Sequence, residues 1–398
     1  MRGRKSVLSV LFFSIALWAF LFVVLYMAVP YTMKSWESDS LFVDTPDYWQ
    51  RIKEMPLYGW VVVKNFLLQF FSYKAAGPCL VSLGVAVLYF FLNCIAGRRA
   101  VGIYVTLFVF VAGSLFIVLK KDVRECERWA HLEYAAEKHV WNEVLEIASP
   151  AATLEDRDML PYALLALAVK GELPERMLDY PVQSAEDFDM VSKVHDKRFY
   201  KFRITLYDCL GCPNEAIHNV FQLSTTLPRG MSFGALRRLI AYYKVLHNDE
   251  LADKYSFVMA QSTMYSYKKK GCILRTDTLR KNESGDAPLI TESMGRNIGK
   301  MLDCGFVSDG LIQYFLCVML AERNLAAFVP VLRKVLPLLE GSLPVLYQEA
   351  LLVYSSQDPS FDVAGFTISE EVKASYDQYR KGMTDGTKHY WTYYAQSQ

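Results

Sequence analysis

The sequence predicts an all-α fold in which N-terminal transmembrane helices are followed by a tetratricopeptide-like α-solenoid of helix–turn–helix pairs. Two observations predict it. Three long, charge-free apolar runs lie within the first 123 residues. After them, apolar residues recur at three- and four-residue spacing, and no alternating run of strand length stands out. We therefore divide the chain into a membrane region, residues 1–123, and a helical domain, residues 124–398.

The first apolar run predicts an uncleaved membrane anchor over residues 6–30. Residues 6–33 contain no charged residue, and about 20 apolar residues are enough to span a bilayer. A secretory signal peptide is the alternative, because Arg2, Arg4 and Lys5 precede the run. The run is, however, longer than a typical signal-peptide core, and no small-x-small cleavage pattern follows it cleanly.

Two further spans are predicted at residues 75–97 and 100–119, which are also free of charge. Only a short basic segment containing Arg98 and Arg99 separates them effectively. Backbone polar groups in lipid must be satisfied internally, so two adjacent helices are the structure available to such a sequence. We expect a tight helical hairpin.

Residues 57–73 are apolar and aromatic but carry Lys64, Asn65 and Gln69 in their middle. These three polar residues cluster near one face of a helix, and Tyr and Trp favour the headgroup level of a bilayer. We therefore predict a helix lying in the membrane interface. The alternative is a fourth span, which would invert the topology of everything after it.

Basic residues in short loops predict the orientation, because they are retained in the cytoplasm. Basic residues precede the first span, and Arg98 and Arg99 lie between the second and third. Three spans place both groups inside. We therefore expect a multi-pass protein of the inner (cytoplasmic) membrane with lipids as partners and a periplasmic helical domain. Lys120, Lys121 and Arg124 argue mildly against this orientation.

The helical domain is predicted to consist of short helix pairs with corners at Lys138–His139, Lys170–Gly171, Gly211 and His247–Asn248. The corners are about 33, 40 and 37 residues apart, and a period in the thirties indicates a tetratricopeptide-like solenoid. The alternative is an irregular helical domain without true repeats.

The remaining segments of the domain are an exposed loop, further helices and a cap. Residues 268–292 combine basic residues with Gly, Ser, Asp and Pro and predict an exposed loop. Helices are expected to resume near Asn297. The aromatic tail containing Tyr390, Trp391, Tyr393 and Tyr394 should cover the last helices, because the end of a solenoid needs such cover.

The charge balance excludes a nucleic-acid partner. Residues 120–398 contain 33 basic and 37 acidic residues, and the charges are mixed along the chain. Nucleic-acid affinity depends first on neutralising phosphates, which requires a basic face.

No catalytic, cofactor-binding or metal-ligating residue is predicted, and we do not expect an enzyme. The six histidines have no ligand partner at metal-binding spacing, and no glycine-rich phosphate loop or nucleophile elbow occurs. Cys209 and Cys212 form a CxxC pair, but a helix precedes them, whereas a redox pair normally opens a helix. The predicted spans also lack ionisable residues, so an ion pathway has no candidates.

Several segments of the chain resemble one family of membrane proteins. They are Asn65–Tyr73, Ala166–Tyr180, Leu206–Ala216, Asn248–Tyr255, Leu343–Leu352 and His389–Tyr394. The family is an uncharacterised group from Bacteroidota, the domain-of-unknown-function family numbered 6057. The resemblance implies N-terminal membrane helices joined to a tetratricopeptide-like region and names no catalytic residue. The three spans here are fewer than the family implies.

Two functions fit these features. The first is a membrane-anchored helical-repeat scaffold at the cell envelope that holds a protein or peptide partner on the solenoid. The second is an accessory subunit of an envelope polymer-processing or lipid-processing membrane enzyme or transporter. The second would need polar residues gathered at the membrane surface, and only Lys64, Asn65 and Gln69 offer them.

Overall fold

The computed structural model describes residues 2–95, 100–190, 196–227, 230–266, 309–339, 341–383 and 386–396. Within these residues every regular element is helical and no strand is present. The predicted loop at 268–292, the resumption of helix near Asn297, Arg98 and Arg99 lie outside the described residues.

The chain forms two compact units, each built from two separate segments. Unit 1 comprises Met1–Tyr134 and Val220–Thr276, and unit 2 comprises Ala135–Asn219 and Asp277–Gln398. Unit 1 therefore combines the N-terminal apolar helices with a helical segment that is distant in sequence.

Unit 1 begins with a series of helices separated by short connections. They are α1 (Arg2–Ala28), α2 (Pro30–Ser38), α3 (Pro46–Lys53), α4 (Tyr58–Leu68), α5 (Ala76–Ile95), α6 (Ala100–Leu119) and α7 (Lys121–Glu137). A 3₁₀ turn, Gln69–Ser72, follows α4. Three of the helices are long and apolar enough to cross a membrane, over Val7–Ala28, Ala76–Ile95 and Gly102–Leu119. At 11 residues α4 is about 17 Å long, too short to cross the roughly 30 Å hydrocarbon core.

The three long helices meet at one end of their bundle. The apolar cluster there contains Val29, Met33, Leu68 and Phe71, with Leu25, Ala28, Leu80, Val81 and Val123 around it. The four central members lie just after α1, in α2, in α4 and in the 3₁₀ turn. The surrounding residues come from the C-terminal end of α1, the beginning of α5, and α7, which starts two residues after α6 ends. The chain therefore leaves α1, enters α5 and leaves α6 at this same end.

The carboxylate of Glu127 on α7 binds the N-terminal turn of α2 at this end of the bundle. The Glu127 oxygens accept hydrogen bonds from the backbone N–H groups of Tyr31 (2.9 Å) and Thr32 (2.8 Å), which have no partner within the first turn of α2. The Tyr31 ring stacks on His131, with 3.9 Å between ring centroids.

The second segment of unit 1 is a helix pair with an additional turn. Ser232 caps the helix that begins at Phe233 by accepting a hydrogen bond from the Ala235 N–H. The segment begins within α13 (Pro213–Thr226) and continues with α14 (Phe233–Val245), α15 (Asp249–Ala260) and α16 (Thr263–Ser266). The pair α14–α15 packs closely, and the rings of Tyr243 and Tyr255 stack 5.7 Å apart.

Unit 2 is organised around two helices that are apolar on all sides. Its helices are α8 (Trp141–Ile147), α9 (Pro150–Glu155), α10 (Leu160–Lys170), α11 (Leu173–Arg176), α12 (Lys197–Cys209), α17 (Asp309–Ala321), α18 (Leu325–Val335), α19 (Val345–Gln357), α20 (Glu370–Arg380) and α21 (Tyr390–Ala395). All residues of α10 from Leu160 to Ala168 are buried, as are nearly all from Ile312 to Ala321 in α17. Helices without a polar face belong in a core, and these two pack together at its centre.

Four helix ends coincide with the predicted corners, and two more, at Arg323 and Gly382, share the same geometry. At each corner a residue in the left-handed conformation donates its N–H to the carbonyl three residues back, and the next N–H donates to the carbonyl five residues back. This is the Schellman motif, which satisfies helix carbonyls that would otherwise lack a partner. The left-handed residues are His139, Gly171, Gly211, His247, Arg323 and Gly382.

The pair at Gly171 departs from a regular repeat, because its second helix, α11, has only four residues. A short 3₁₀ turn follows α11, and the chain is extended at Tyr180. Tyr180 precedes Pro181, and a residue before proline is disfavoured in the helical conformation.

Candidate functional site

The most elaborate polar cluster of unit 1 joins the chain after α1 to α14–α16. We call residues 37–53 together with α14–α16 the Glu37 junction. Its centre is Glu37, near the C-terminal end of α2, whose side chain is buried. Arg237 donates from Nη1 to Oε1 of Glu37 (2.8 Å) and from Nη2 to Oε2 (3.2 Å), which is a two-point charged pair.

Tyr265 completes the cluster. Its hydroxyl donates to Glu37 and accepts a hydrogen bond from Nη1 of Arg237 at 2.8 Å. A buried carboxylate is costly unless it is paired and hydrogen-bonded, and here both oxygens have partners. The three side chains come from α2, α14 and α16, so the cluster holds together segments about 200 residues apart in sequence.

An apolar core surrounds this cluster and mixes residues from both segments. It contains Phe42, Val43, Tyr48 and Ile52 from the N-terminal segment and Phe233, Leu236, Ile240, Met259 and Tyr265 from the other. Neither set forms this core alone.

Close contact with the Ser38 segment explains why position 234 is occupied by glycine. A Cβ atom on Gly234 would lie 2.2 Å from Oγ and 2.9 Å from the carbonyl oxygen of Ser38, so any larger residue would displace the Ser38 backbone. The N–H of Phe233 donates to the carbonyl of Ser40 at 2.8 Å.

Helix α4 has an unusual distribution of polarity. Its amide residues face the protein: Asn65 is 1% exposed and donates to the Tyr48 hydroxyl at 3.2 Å. In the following turn, Gln69 is 0% exposed and accepts from the Met264 N–H at 2.9 Å. Lys64 is exposed. The three polar residues that we predicted on one face therefore separate, and the two amides contribute to the junction.

A second buried carboxylate lies in unit 2, where it fixes the aromatic tail. Glu349 of α19 is 3% exposed and accepts from the Tyr390 N–H (2.6 Å), and Nδ1 of His389 lies 2.5 Å from its other oxygen. The tail covers the C-terminal end of α17: the hydroxyls of Tyr390 and Tyr393 donate to the carbonyls of Leu320 and Ala321. The tail therefore packs against helices near the end of the chain, as the sequence predicted.

The CxxC pair lies at the Gly211 corner, between α12 and α13. Burial raises the pKa of the Cys212 thiol to about 12, with a further contribution from Glu215, and raises that of Cys209 well above its usual value. A redox cysteine needs a lowered pKa so that its thiolate is present near neutral pH. Both thiols are free, and Cys212 donates weakly to the Leu210 carbonyl.

The described histidines have individual neighbours rather than a common site. His131 stacks on Tyr31, His139 contacts Asp208 at 3.2 Å, and His389 contacts Glu349. Among the described residues no group of three or more potential ligands could hold a metal ion.

A polar depression of about 360 Å³ lies in unit 2 beside α10. Its walls include Asp187, which pairs with Arg157 at 2.6 Å and accepts from two backbone N–H groups, and Asp189, which pairs with Arg203. Burial raises the pKa of Asp158 at its edge. Because its carboxylates are largely engaged within the protein, the depression offers few groups to a ligand.

Comparison with known proteins gives a family and no more. A family model described as a family of unknown function, DUF6057, matches residues 123–397. No curated protein and no solved structure shows a significant match to the chain.

Proposed function

Because the chain belongs to DUF6057, a family of unknown function, we propose that it is a membrane-anchored helical-repeat scaffold that mediates protein–protein interaction at the cell envelope. In this proposal α1, α5 and α6 hold the protein in the lipid bilayer. The helix pairs of residues 124–398 form a tetratricopeptide-like surface that takes a protein or peptide partner. The sequence resemblance also implies that the protein comes from a member of the Bacteroidota, and we include this origin in the proposal.

The recurrent Schellman corner is the observation that carries the proposal. Corners of this kind at His139, Gly171, Gly211 and His247 are about 33, 40 and 37 residues apart, a spacing in the range of helical repeats. Repeated helix pairs bury apolar faces against their neighbours and leave extended surfaces that suit partner binding.

The alternative function, an accessory subunit of a membrane enzyme or transporter, has less support than the sequence suggested. It required Lys64, Asn65 and Gln69 to present polar groups at the membrane surface. Asn65 and Gln69 are buried and hydrogen-bonded within the protein, which leaves Lys64. The scaffold proposal is therefore favoured.

The orientation that we propose places the N-terminus in the cytoplasm and residues 124–398 in the periplasm, with the spans in the inner membrane. The end of α1, the beginning of α5 and α7, which directly follows α6, meet in one cluster, and this supports an odd number of crossings. The short α4 argues against a fourth. The basic residues Arg2, Arg4 and Lys5 then lie at the cytoplasmic end.

Reporter fusions test the orientation. A reporter active only in the cytoplasm should give signal when it replaces everything after Gly97 and none when it follows Gln398. A reporter active only outside the cytoplasm should give the reverse pattern. Cytoplasmic signal after Gln398 would contradict the three-span orientation.

Site-specific photocrosslinking in living cells tests the scaffold. Benzophenone side chains at the exposed positions Leu154, Val169 and Val345 of unit 2 should yield a protein adduct of one defined mass from at least one site. Purification of the captured protein should in turn recover this chain. Phe108 on α6 is the matched control, because an equally exposed position within a span should capture lipid. Absence of a protein adduct at all three positions would contradict the scaffold.

A further inference from the structure

The outer surface of α4 is apolar, although it faces away from the protein. Tyr58, Trp60, Val63 and Leu67 are all exposed, Trp60 by 67% of its surface, and Lys64 is the one charged residue of the helix. The opposite side of α4 carries Asn65, which is buried and hydrogen-bonded to Tyr48. In water a helix presents its polar residues outward, so α4 has the reverse of the usual arrangement.

The protein side of α4 is fully occupied and cannot be turned outward. Val61 and Val62 pack against the apolar core of the Glu37 junction, and Phe66 meets the Phe42 ring edge to face at 5.3 Å. Rotation of the helix to bury its apolar side would break these contacts and the hydrogen bond of Asn65. The outward position of Trp60, Val63 and Leu67 is therefore fixed by the fold.

The end of α4 lies where the membrane surface must be. Leu68 and Phe71 belong to the cluster at which α1 ends and α5 begins. Just beyond, Lys74 places its ammonium group 5.2 Å from the ring centre of Tyr26, near the end of α1. Because α5 starts at Ala76 and is apolar along its length, residues 68–74 lie at the level where that span enters the bilayer.

We propose that the exposed face of α4 lies in the headgroup layer of the same membrane, with Trp60, Val63 and Leu67 toward the acyl chains. The ammonium group of Lys64 then reaches lipid phosphates, as lysine side chains do at the edge of apolar surfaces. Since α4 also packs on the Glu37 junction, this contact holds α14–α16 against the membrane surface. The inference depends on membrane anchoring and not on a protein partner, so its failure would leave the scaffold untouched.

Tryptophan quenching in lipid nanodiscs tests this placement with the full-length protein. The difference between the emission of the wild type and of Trp60→Phe isolates the signal of Trp60. We expect this signal to be blue-shifted and to lose most of its intensity with acyl chains brominated near the headgroup. Bromine near the chain ends should quench it less. Trp60→Phe preserves an aromatic ring at an exposed position, so folding should be retained.

Two further variants calibrate the measurement. Trp18 lies within α1, and the component removed by Trp18→Phe should be quenched by brominated lipid. Trp391 is buried in unit 2, and the component removed by Trp391→Phe should be insensitive to it. A Trp60 signal quenched by soluble acrylamide and not by lipid would overturn the proposal in favour of a water-exposed face. Insensitivity to both quenchers would also overturn it, because a protein surface would then cover α4.

Discussion

Each of the two units contains a buried carboxylate that fixes a chain segment to a helix pair, but the partners differ. In unit 1 the partners of Glu37 are a guanidinium group and a phenol contributed from about 200 residues away. In unit 2 the partners of Glu349 are an imidazole and a backbone N–H about 40 residues away. Unit 1 therefore depends on a long-range ion pair, whereas unit 2 uses a carboxylate to fasten a terminal cap.

The different partners of Glu37 and Glu349 follow from the apolar residues that each unit can bury. Unit 2 has α10 and α17, whose buried residues are mainly apolar and supply a central core. The core of the Glu37 junction has to be assembled from residues 37–53 and a distant helix pair, and these segments need a specific contact to select their relative position. A buried ion pair can supply such specificity even when it adds little net stability.

The largest effect is expected for Arg237→Met. The substitution leaves Glu37 buried with Tyr265 but without its cation, which should lower the free energy of unfolding of unit 1 by about 3–5 kcal/mol. Denaturant unfolding in detergent micelles measures the change. The double variant Glu37→Gln with Arg237→Met should recover part of the loss, because no uncompensated charge remains buried.

The matched control for this variant is Arg51→Met. Arg51 is exposed on α3 of the same unit, and exposed positions usually change stability by less than about 0.5 kcal/mol. If both methionine variants unfolded at the same denaturant concentration, the Glu37 pair would have no special role.

A smaller effect is expected for Glu349→Gln in unit 2. The glutamine amide has one acceptor oxygen, so its NH₂ group would face either His389 or the Tyr390 N–H, which both now contact the carboxylate. The loss of one hydrogen bond should lower the free energy of unfolding by about 1–3 kcal/mol and loosen the tail. Limited trypsin digestion should then cut faster after Lys388, next to the tail helix. Glu322→Gln, at an exposed position of the same unit, serves as the control. Unchanged cleavage in Glu349→Gln would argue against the fastening role.

Cys212 makes the stability of unit 2 depend on pH, because its pKa differs between the folded and unfolded states. Burial raises its pKa from 9.0 to about 12, so the unfolded chain loses the proton near pH 9 while the folded unit retains it. The stability linked to this thiol is therefore present below pH 9 and is lost as the pH rises above it.

Alkylation and unfolding measure this effect. At pH 9 Cys126, which is exposed, should be alkylated quickly, whereas Cys212, which is buried, should react slowly. Cys212→Ala should weaken the loss of stability between pH 9 and pH 11. Rapid alkylation of Cys212 at pH 7 would contradict the structural role of the CxxC pair.

The smallest effect, expected from the loss of a helix cap, should be equal in the two units. Asn248 in unit 1 and Asn324 in unit 2 follow the left-handed residue of a Schellman corner, and each caps the next helix by accepting an N–H three residues on. Replacement of either by Ala should cost about 1 kcal/mol in unfolding experiments, while Ser, which also caps, should cost less. A clear inequality would show that the corners are not equivalent.

The sequence located the corners because a corner is a local structure. Gly171 and Gly211 favour a left-handed conformation, and Asn248 is a good helix cap, so a few neighbouring residues are sufficient. The same holds for the three long apolar helices, whose length and composition are visible directly. Glu349 could have been noticed, because Gln348 and Glu349 interrupt the apolar segment 343–352.

The sequence alone could not predict the partners of Glu37 or the orientation of α4. Nothing near Glu37 marks it as buried, since Arg237 and Tyr265 come from a segment that meets it only after folding. The sequence placed Lys64, Asn65 and Gln69 near one face of an interfacial helix, but Asn65 and Gln69 are buried by tertiary hydrogen bonds.

The sequence by itself therefore determined the helical class, the three long apolar helices and four of the corners, because these depend on composition and on interactions over a few residues. Only the tertiary structure decided that residues 37–53 share a core with α14–α16, and which side of α4 faces outward. Those features depend on pairing between segments about 200 residues apart, and in one sequence no local pattern encodes such a pairing.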